Sequence, residues 1–244
     1  MNRHEEEACD HFLNTNHVVE IIQPIKSGKE ASVFLCRGSE YHDNRLLCLK
    51  IYKDFNERSF KRNESYQEGR FDAMKRREKL AVKKKSAVGM QIMESCWLSA
   101  EMAALSRLYQ SGMRVPKPIE ASSTAILMDY IGDHDQIASQ LKDEKMDSEK
   151  ALYLFKKIIK NIQQMFNLDI VHGDLSAYNI LVWHDQPVII DFPQHIDPCN
   201  HSQAFDILYR DVTNICNFFE KKGIQADSWK IAEQIWEGQE VTAL

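Results

Sequence analysis

Three oxygen-bearing side chains near the middle of the chain have the order and spacing of a phosphoryl-transfer site. In His172-Gly173-Asp174-Leu175-Ser176-Ala177-Tyr178-Asn179 a carboxylate is followed five residues later by an amide, and a second carboxylate, Asp191, ends the apolar run Val188-Ile189-Ile190. Moving a γ-phosphoryl group requires a carboxylate that orients or deprotonates the attacking hydroxyl, and oxygen ligands that hold a divalent cation on the phosphates. Asp174 has the placement of the base, and Asn179 and Asp191 that of the ligands. So sparse a set suits Mg2+ (or Mn2+), which keeps waters and takes substrate phosphates as further ligands. No Cys/His pair stands nearby, which argues against zinc. His172 is expected to support the loop through hydrogen bonds rather than to react.

A second group of residues lies far upstream. Lys50 interrupts the apolar row Leu46-Leu47-Cys48-Leu49-Lys50-Ile51-Tyr52. An ammonium in such a row must meet a partner or bear a large desolvation cost. The expected partner is Glu101, in the helix that follows. Before Lys50, Ser27-Gly28-Lys29 forms a small-residue turn whose backbone N–H groups suit phosphate oxygens, with Gly28 allowing close approach. After Glu101, the strand Thr124–Ile131 runs into a linker at Gly132, and Met128 is expected at the back of a nucleotide pocket.

These residues need a scaffold of strands followed by helices. Residues 1–16 are expected as a short helix or loose tail. Strands are predicted over 17–25 and 45–52, with a tight Gly turn followed by a further strand within 26–36, and a helix over 91–110 with Gly112 as its stop. Val115-Pro116-Lys117-Pro118 then leads into the strand that ends near Ile131. Asp147 and Ser148 can cap an amphipathic helix bearing Leu152, Phe155, Ile158, Ile159, Ile162, Met165 and Phe166. Two more helices are predicted, over about 202–222 and after Asp227. This pattern reads as α+β with two lobes: an antiparallel sheet plus one helix in 17–131, and a reduced, mainly helical part in 132–244.

Composition excludes several alternatives. The 244 residues carry a net charge of -5, which argues against a general nucleic-acid binder. That figure hides an asymmetry, because residues 53–85 hold twelve Lys or Arg against six Asp or Glu. We expect this stretch, taken to residue 86, to be a flexible or partly helical insertion, either a solvated loop or an electrostatic contact for RNA, a ribosomal particle or an acidic partner. No apolar run is long enough to span a bilayer, so no membrane partner is expected. The acidic N-terminus lacks a signal-peptide core, which points to the cytoplasm. The six cysteines are scattered, as suits reduced thiols.

Taken together, these motifs resemble the RIO family of atypical protein kinases. Ser27-Gly28-Lys29-Glu30-Ala31-Ser32-Val33 is similar to that family's phosphate loop. Trp97-x-x-x-Glu101 with Val115-Pro-Lys-Pro118 resembles its helix and the approach to its next strand. His172-Gly-Asp-Leu-Ser-x-Tyr-Asn179 and Ile190-Asp-Phe-Pro-Gln194 resemble its catalytic and metal loops. The compact chain suggests a prokaryotic member near the first subtype, although Asp-Phe-Pro-Gln is more like the second. The resemblance implies a two-lobed kinase fold and an ATP- and Mg2+-dependent serine/threonine kinase or ATPase, with autophosphorylation and a protein acceptor. It implies that Lys50 binds the α/β-phosphates with Glu101 as its ion-pair partner, that Asp174 is the catalytic base, and that Asn179 and Asp191 hold the metal. Ser27, Gly28, Lys29, Glu30, Ala31 and Val33 would border the ATP phosphates, and Met128, Asp129 and Ile131 the adenine. Two other readings stay open: a small-molecule phosphotransferase of the aminoglycoside or choline kinase type, and a nucleotide-switched ribosome-assembly factor. Only 53 residues follow Asp191, too few for a peptide-docking subdomain, and Pro193 stands where protein kinases have Gly. Proline fixes φ and lacks an N–H, so flipping of this loop is expected to be hindered.

Overall fold

Residues 1–53, 75–84 and 86–242 are described by a computed structural model of the chain. They fall into two units, Met1–Ala103 with Pro116–Gln136, and Ala104–Val115 with Ile137–Leu244. The first begins with α1 (Arg3–Asn14), which is more than a tail for two reasons. A capping box closes its start, the Asn2 side chain accepting from the Glu5 N–H and the Glu5 carboxylate from the Asn2 N–H, both at 2.9 Å. Ala8, Cys9 and Phe12 then form a short buried stripe on one side.

Strands β1 (Val18–Ser27), β2 (Ala31–Gly38) and β3 (Leu46–Tyr52) follow. Next come the helices α2 (Arg76–Lys83) and α3 (Ala87–Gln110), then β4 (Pro118–Ala121) and β5 (Ala125–Asp129). The strands form one antiparallel sheet in the order β1-β2-β3-β5-β4. Side chains alternate between faces along a strand, so each strand serves two cores. Leu47, Leu49 and Ile51 of β3 pack with Ala125 and Leu127 of β5 against Ala8, Cys9 and Phe12 of α1. On the opposite face Tyr52 joins Ile126 and Met128 against Leu98, with Cys48 and Met102 at its margin. Lys50 shares the parity of Cys48 and Tyr52 and therefore belongs to the α3 face. Burying a side chain such as Phe12 stabilises by about 1.5–3 kcal/mol, which accounts for the order of α1.

Much of the expected basic insertion, residues 54–74 and Lys85, lies outside the described residues. Within the described part, Arg76, Arg77, Lys79 and Lys83 sit on α2 and are exposed, as is Lys84 at its end.

The second unit is built on α4 (Ser148–Phe166), capped by Asp147, whose side chain accepts from the Lys150 N–H at 2.8 Å. A small sheet flanks the loops of the candidate site: β6 (Ser139–Gln140), β7 (Ile180–Trp183) and β8 (Gln186–Ile189), in that order. His184 and Asp185 join β7 to β8 with φ of 50° and 56°, the two-residue turn that suits strand twist. Helix α5 (Ala204–Glu220) buries Ile207, Leu208, Val212, Ile215 and Phe219, and α6 (Ser228–Trp236) buries Ile231 and Ile235. Among the described residues no helix is long and apolar enough to cross a membrane.

Candidate active site

In the first unit the strand parity of Lys50 becomes an ion pair. Lys50 Nζ lies 2.9 Å from Glu101 Oε1, and the two side chains are only 11% and 2% exposed. The second carboxylate oxygen accepts from the Tyr52 hydroxyl. The Tyr52 ring also lies 4.7 Å from Lys50 Nζ, within cation–π range. Glu101 comes to this place because Leu98 and Met102, on either side of it in α3, pack on the β3/β5 face. A buried charge pair persists when its remaining hydrogen-bonding capacity is filled, and Tyr52 fills it.

The residues expected at the phosphates occupy the β1/β2 hairpin. Gly28 N–H donates to Ala31 O at 2.9 Å and closes the turn. Gly28 therefore offers a phosphate an absent side chain rather than a free donor. Lys29 N–H has no backbone acceptor among the described residues. Ser27 and Ser32 hydroxyls lie 3.3 Å apart at the strand ends, and Lys53 N–H donates to Glu30 O at 2.9 Å. Along β5, Met128 is buried on the Lys50 face. Asp129 N–H is already engaged by Lys117 O at 2.9 Å, and its carboxylate pairs with Arg45 at 2.9 Å. Partial burial holds that carboxyl above its ordinary range, with Arg45 opposing. The Ile131 N–H makes no backbone hydrogen bond among the described residues, so it is the donor this segment has to offer. Gly132 follows at φ 147°, where a Cβ would come within 2.7 Å of Gln136 O.

In the second unit the catalytic-loop residues are held through their backbone. Gly173, at φ 83°, lets the chain turn between His172 and Asp174. Its N–H donates to Asp211 Oδ2 at 2.8 Å, and the Leu175 N–H donates to Asp211 Oδ1 at 3.0 Å. Arg210 donates to the Gly173 carbonyl, and Asn214 Nδ2 to the Leu175 carbonyl at 3.0 Å. One turn of α5 thus clamps both peptide groups flanking Asp174. Asp211 is 1% exposed, and its burial pushes its carboxyl up to about 7, against the pull of its two N–H donors and Arg210.

His172 joins this loop to the next. Its Nδ1 accepts from the Asp174 N–H at 3.3 Å, so Nε2 carries the proton that it donates to Ile190 O at 3.1 Å. Ile190 N–H in turn donates to Asn179 O at 3.0 Å. Asn179 Nδ2 donates to Asp174 O at 2.8 Å, which leaves its amide oxygen as the acceptor for a cation. Asp191 has φ 73°, an uncommon conformation for a residue with a side chain. The carboxyl of Asp174 is raised from its ordinary range, first by partial loss of hydration and next by the negative charge of Asp191. Asn179 and Asp191 supply two hard oxygen donors, and no cluster of three His, Cys, Asp or Glu occurs among the described residues. That donor set fits a cation that completes its shell with water and phosphate.

After Asp191, residues 192–195 form a tight turn with Pro193 in its second position, the place where fixed φ is favourable. The Phe192 carbonyl accepts twice from His195, from N–H at 3.2 Å and from Nδ1 at 2.7 Å. The Phe192 ring is fully buried, with its centroid 4.7 Å from that of His172.

Tyr52, Arg210, Asp211 and Asn214 are participants that sequence reasoning passed over. Asp211 had a signal: it falls inside the apolar stripe Ile207, Leu208, Val212 and Ile215, and a carboxylate on a buried face requires partners. Tyr52 had one too, being two residues from Lys50 and hence on its face.

The sequence pattern of the RIO domain matches residues 32–232. This chain belongs to the RIO family. It is 30% identical over 224 residues to the RIO-type serine/threonine-protein kinase Rio1 of Haloferax volcanii, covering 91% of this chain and 71% of that protein. The Rio1 protein of Methanocaldococcus jannaschii is 33% identical over 219 residues, 88% of this chain and 68% of its own length. A longer RIO relative, the serine/threonine-protein kinase RIO3 of Mus musculus, is 30% identical over 87% of this chain, which spans 41% of it.

Proposed function

We propose that this chain is a RIO-type serine/threonine kinase that transfers the γ-phosphoryl group of ATP to a Ser or Thr hydroxyl, with Mg2+ or Mn2+ as the metal. The observation that carries this reading is the joined pair of loops in the second unit. Asn179 donates to the Asp174 carbonyl while its own carbonyl receives the Ile190 N–H, so base and metal ligands belong to one hydrogen-bonded assembly. The Lys50–Glu101 pair supplies a charged, oriented ammonium for the α/β-phosphates.

In this reading Asp174 orients the acceptor hydroxyl and accepts its proton as the oxygen attacks the γ-phosphorus. Ser27, Gly28, Lys29, Glu30, Ala31 and Val33 border the phosphates, Met128 backs the adenine, and the Asp129 carbonyl and Ile131 N–H bond to its edge. Asn179 and Asp191 would hold the metal ion, which when bound would supply charge neutralisation at the phosphates. The exposed cations of α2, within the basic stretch 53–85, provide a contact for RNA or a ribosomal particle.

The test is to incubate the purified protein with γ-labelled ATP and Mg2+, alone and with RNA or ribosomal subunits. Acid-stable label on the protein is the expected result. Label appearing only as free phosphate, rising with ribosomal particles, would replace kinase by nucleotide switch. Label on a small molecule would replace it by a phosphotransferase.

A further inference from the structure

Glu101 is held on both oxygens from a single strand. Lys50 reaches Oε1 and Tyr52, two residues further on, donates to Oε2. Tyr52 is itself immobilised: it is 2% exposed, its N–H donates to Thr124 O at 2.9 Å, and its carbonyl accepts from His4 Nε2 at 2.8 Å. Its ring packs with Leu98, Ile126 and Met128. The grip on Glu101 therefore includes two components of different kind. One is a mobile ammonium that the proposed function also directs at phosphate, and the other is a phenol fixed in the sheet face.

We propose that Tyr52 is a positioning residue of the ATP site, which keeps the Glu101 carboxylate and its helix in place when the Lys50 ammonium engages phosphate. This role for Tyr52 rests on the reading of Lys50 as the phosphate contact. When Lys50 shares its protons with a nucleotide, its hold on Glu101 weakens. A carboxylate at 1% exposure cannot turn to water for compensation. The phenolic donor satisfies it throughout, so α3 stays docked in both the empty and the nucleotide-bound protein, and Lys50 swings about a fixed anchor.

Tyr52→Phe removes the hydroxyl and keeps the ring. Because the α/β-phosphates are held in ground and transition states alike, the KM for ATP should rise roughly tenfold with kcat within about threefold. A merely damaged fold would instead lower kcat through a smaller active fraction and leave KM unchanged, which would overturn the proposal. In a Glu101→Gln background the same substitution should add less than about twofold, since residues acting through one partner are not additive. Multiplying effects would also overturn it. Should Tyr52→Phe fail to fold, hydrogen exchange on Lys50→Met decides: retained protection over residues 97–103 supports Tyr52 as an independent hold, and its loss refutes it. Lys50→Met with wild-type ATP turnover would remove the reading of the site, and the role of Tyr52 with it. Inactive Lys50→Met beside kinetically normal Tyr52→Phe removes the role of Tyr52 alone.

Discussion

The two sets of candidate residues are held by opposite means. In the first unit the functional group itself is gripped: Lys50 is paired with Glu101, and Glu101 with Tyr52, by side chains that are almost wholly buried. In the second unit it is the backbone beneath the candidate side chains that is gripped. Asp211, Arg210 and Asn214 hold the peptide groups around Asp174, whose own carboxylate belongs to an exposed residue. The difference follows from the two tasks. On the proposed function, a phosphate-aiming ammonium must keep one charge and one direction, which a low-dielectric pair enforces. In the same reading a base and metal ligands must exchange protons, waters and substrate oxygens, which makes their attachment the part to hold rigid.

The sharpest way to break this contrast is Asp174→Asn. Transfer should fall about 10²–10⁴-fold while stability shifts by less than about 0.5 kcal/mol, measured by labelled-phosphate transfer and denaturant unfolding. A large loss of stability would mean that the side chain, and not only the backbone, is part of the clamp. Lys50→Met should behave otherwise, lowering both. Removing one partner of a buried pair ordinarily costs about 3–5 kcal/mol, and with Tyr52 still donating we expect about 2–3. Lost activity without any change in unfolding free energy would place Lys50 with the residues of the second unit instead.

Asp211→Asn addresses the clamp directly. An amide accepts one of the two N–H groups and opposes the other, so stability should drop by about 1–3 kcal/mol with a parallel loss of transfer. The pH dependence gives a second readout. Burial holds Asp211 at about 7, whereas in the unfolded chain it ionises in the ordinary carboxylate range. Between those values the unfolded state binds fewer protons, so this residue's contribution to stability is present at low pH and is lost as pH rises through about 7. Unfolding titrations from pH 5 to 8 should show that decline in the native protein and its absence in Asp211→Asn. The smallest expected effect lies outside both sets. Charge reversal at Lys83 and Lys84 should leave transfer to the protein itself unchanged. It should weaken RNA binding and make its salt dependence shallower by about one unit for each phosphate no longer neutralised. If neither affinity nor slope moves, those lysines are solvated charges and nothing more.

How much of this was legible depends on how local the cause is. Lys50 stood out because a charge in an alternating apolar strand has few places to go, and the β3 parity that sends it to α3 is a property of seven consecutive residues. Asp174, Asn179 and Asp191 were legible as candidates because their order and spacing sit in short loops. Helix α1 was only half legible, since three apolar residues and a cap do not distinguish a helix from a tail until the sheet face that receives Phe12 is known. Tyr52 and Asp211 act on partners 49 and 38 residues away, at Glu101 and Gly173, so each needs the fold before its role can be seen. The need for a partner at Asp211 was present in the α5 stripe; the identity of that partner was not.

If Asp191 holds the metal as proposed, the turn over 192–195 bears on the choice of inhibitor. Compounds that capture kinases with the metal-loop aspartate turned outward work by selecting a minor conformer, and their apparent affinity is reduced by the fraction of molecules that adopt it. Here the outward conformer would require breaking both His195 bonds to the Phe192 carbonyl, withdrawing a fully buried ring, and rotating a chain whose φ is fixed by Pro193. Ligands of that class should find almost no state to select, and ATP-site ligands that accept the inward arrangement should be the ones that bind.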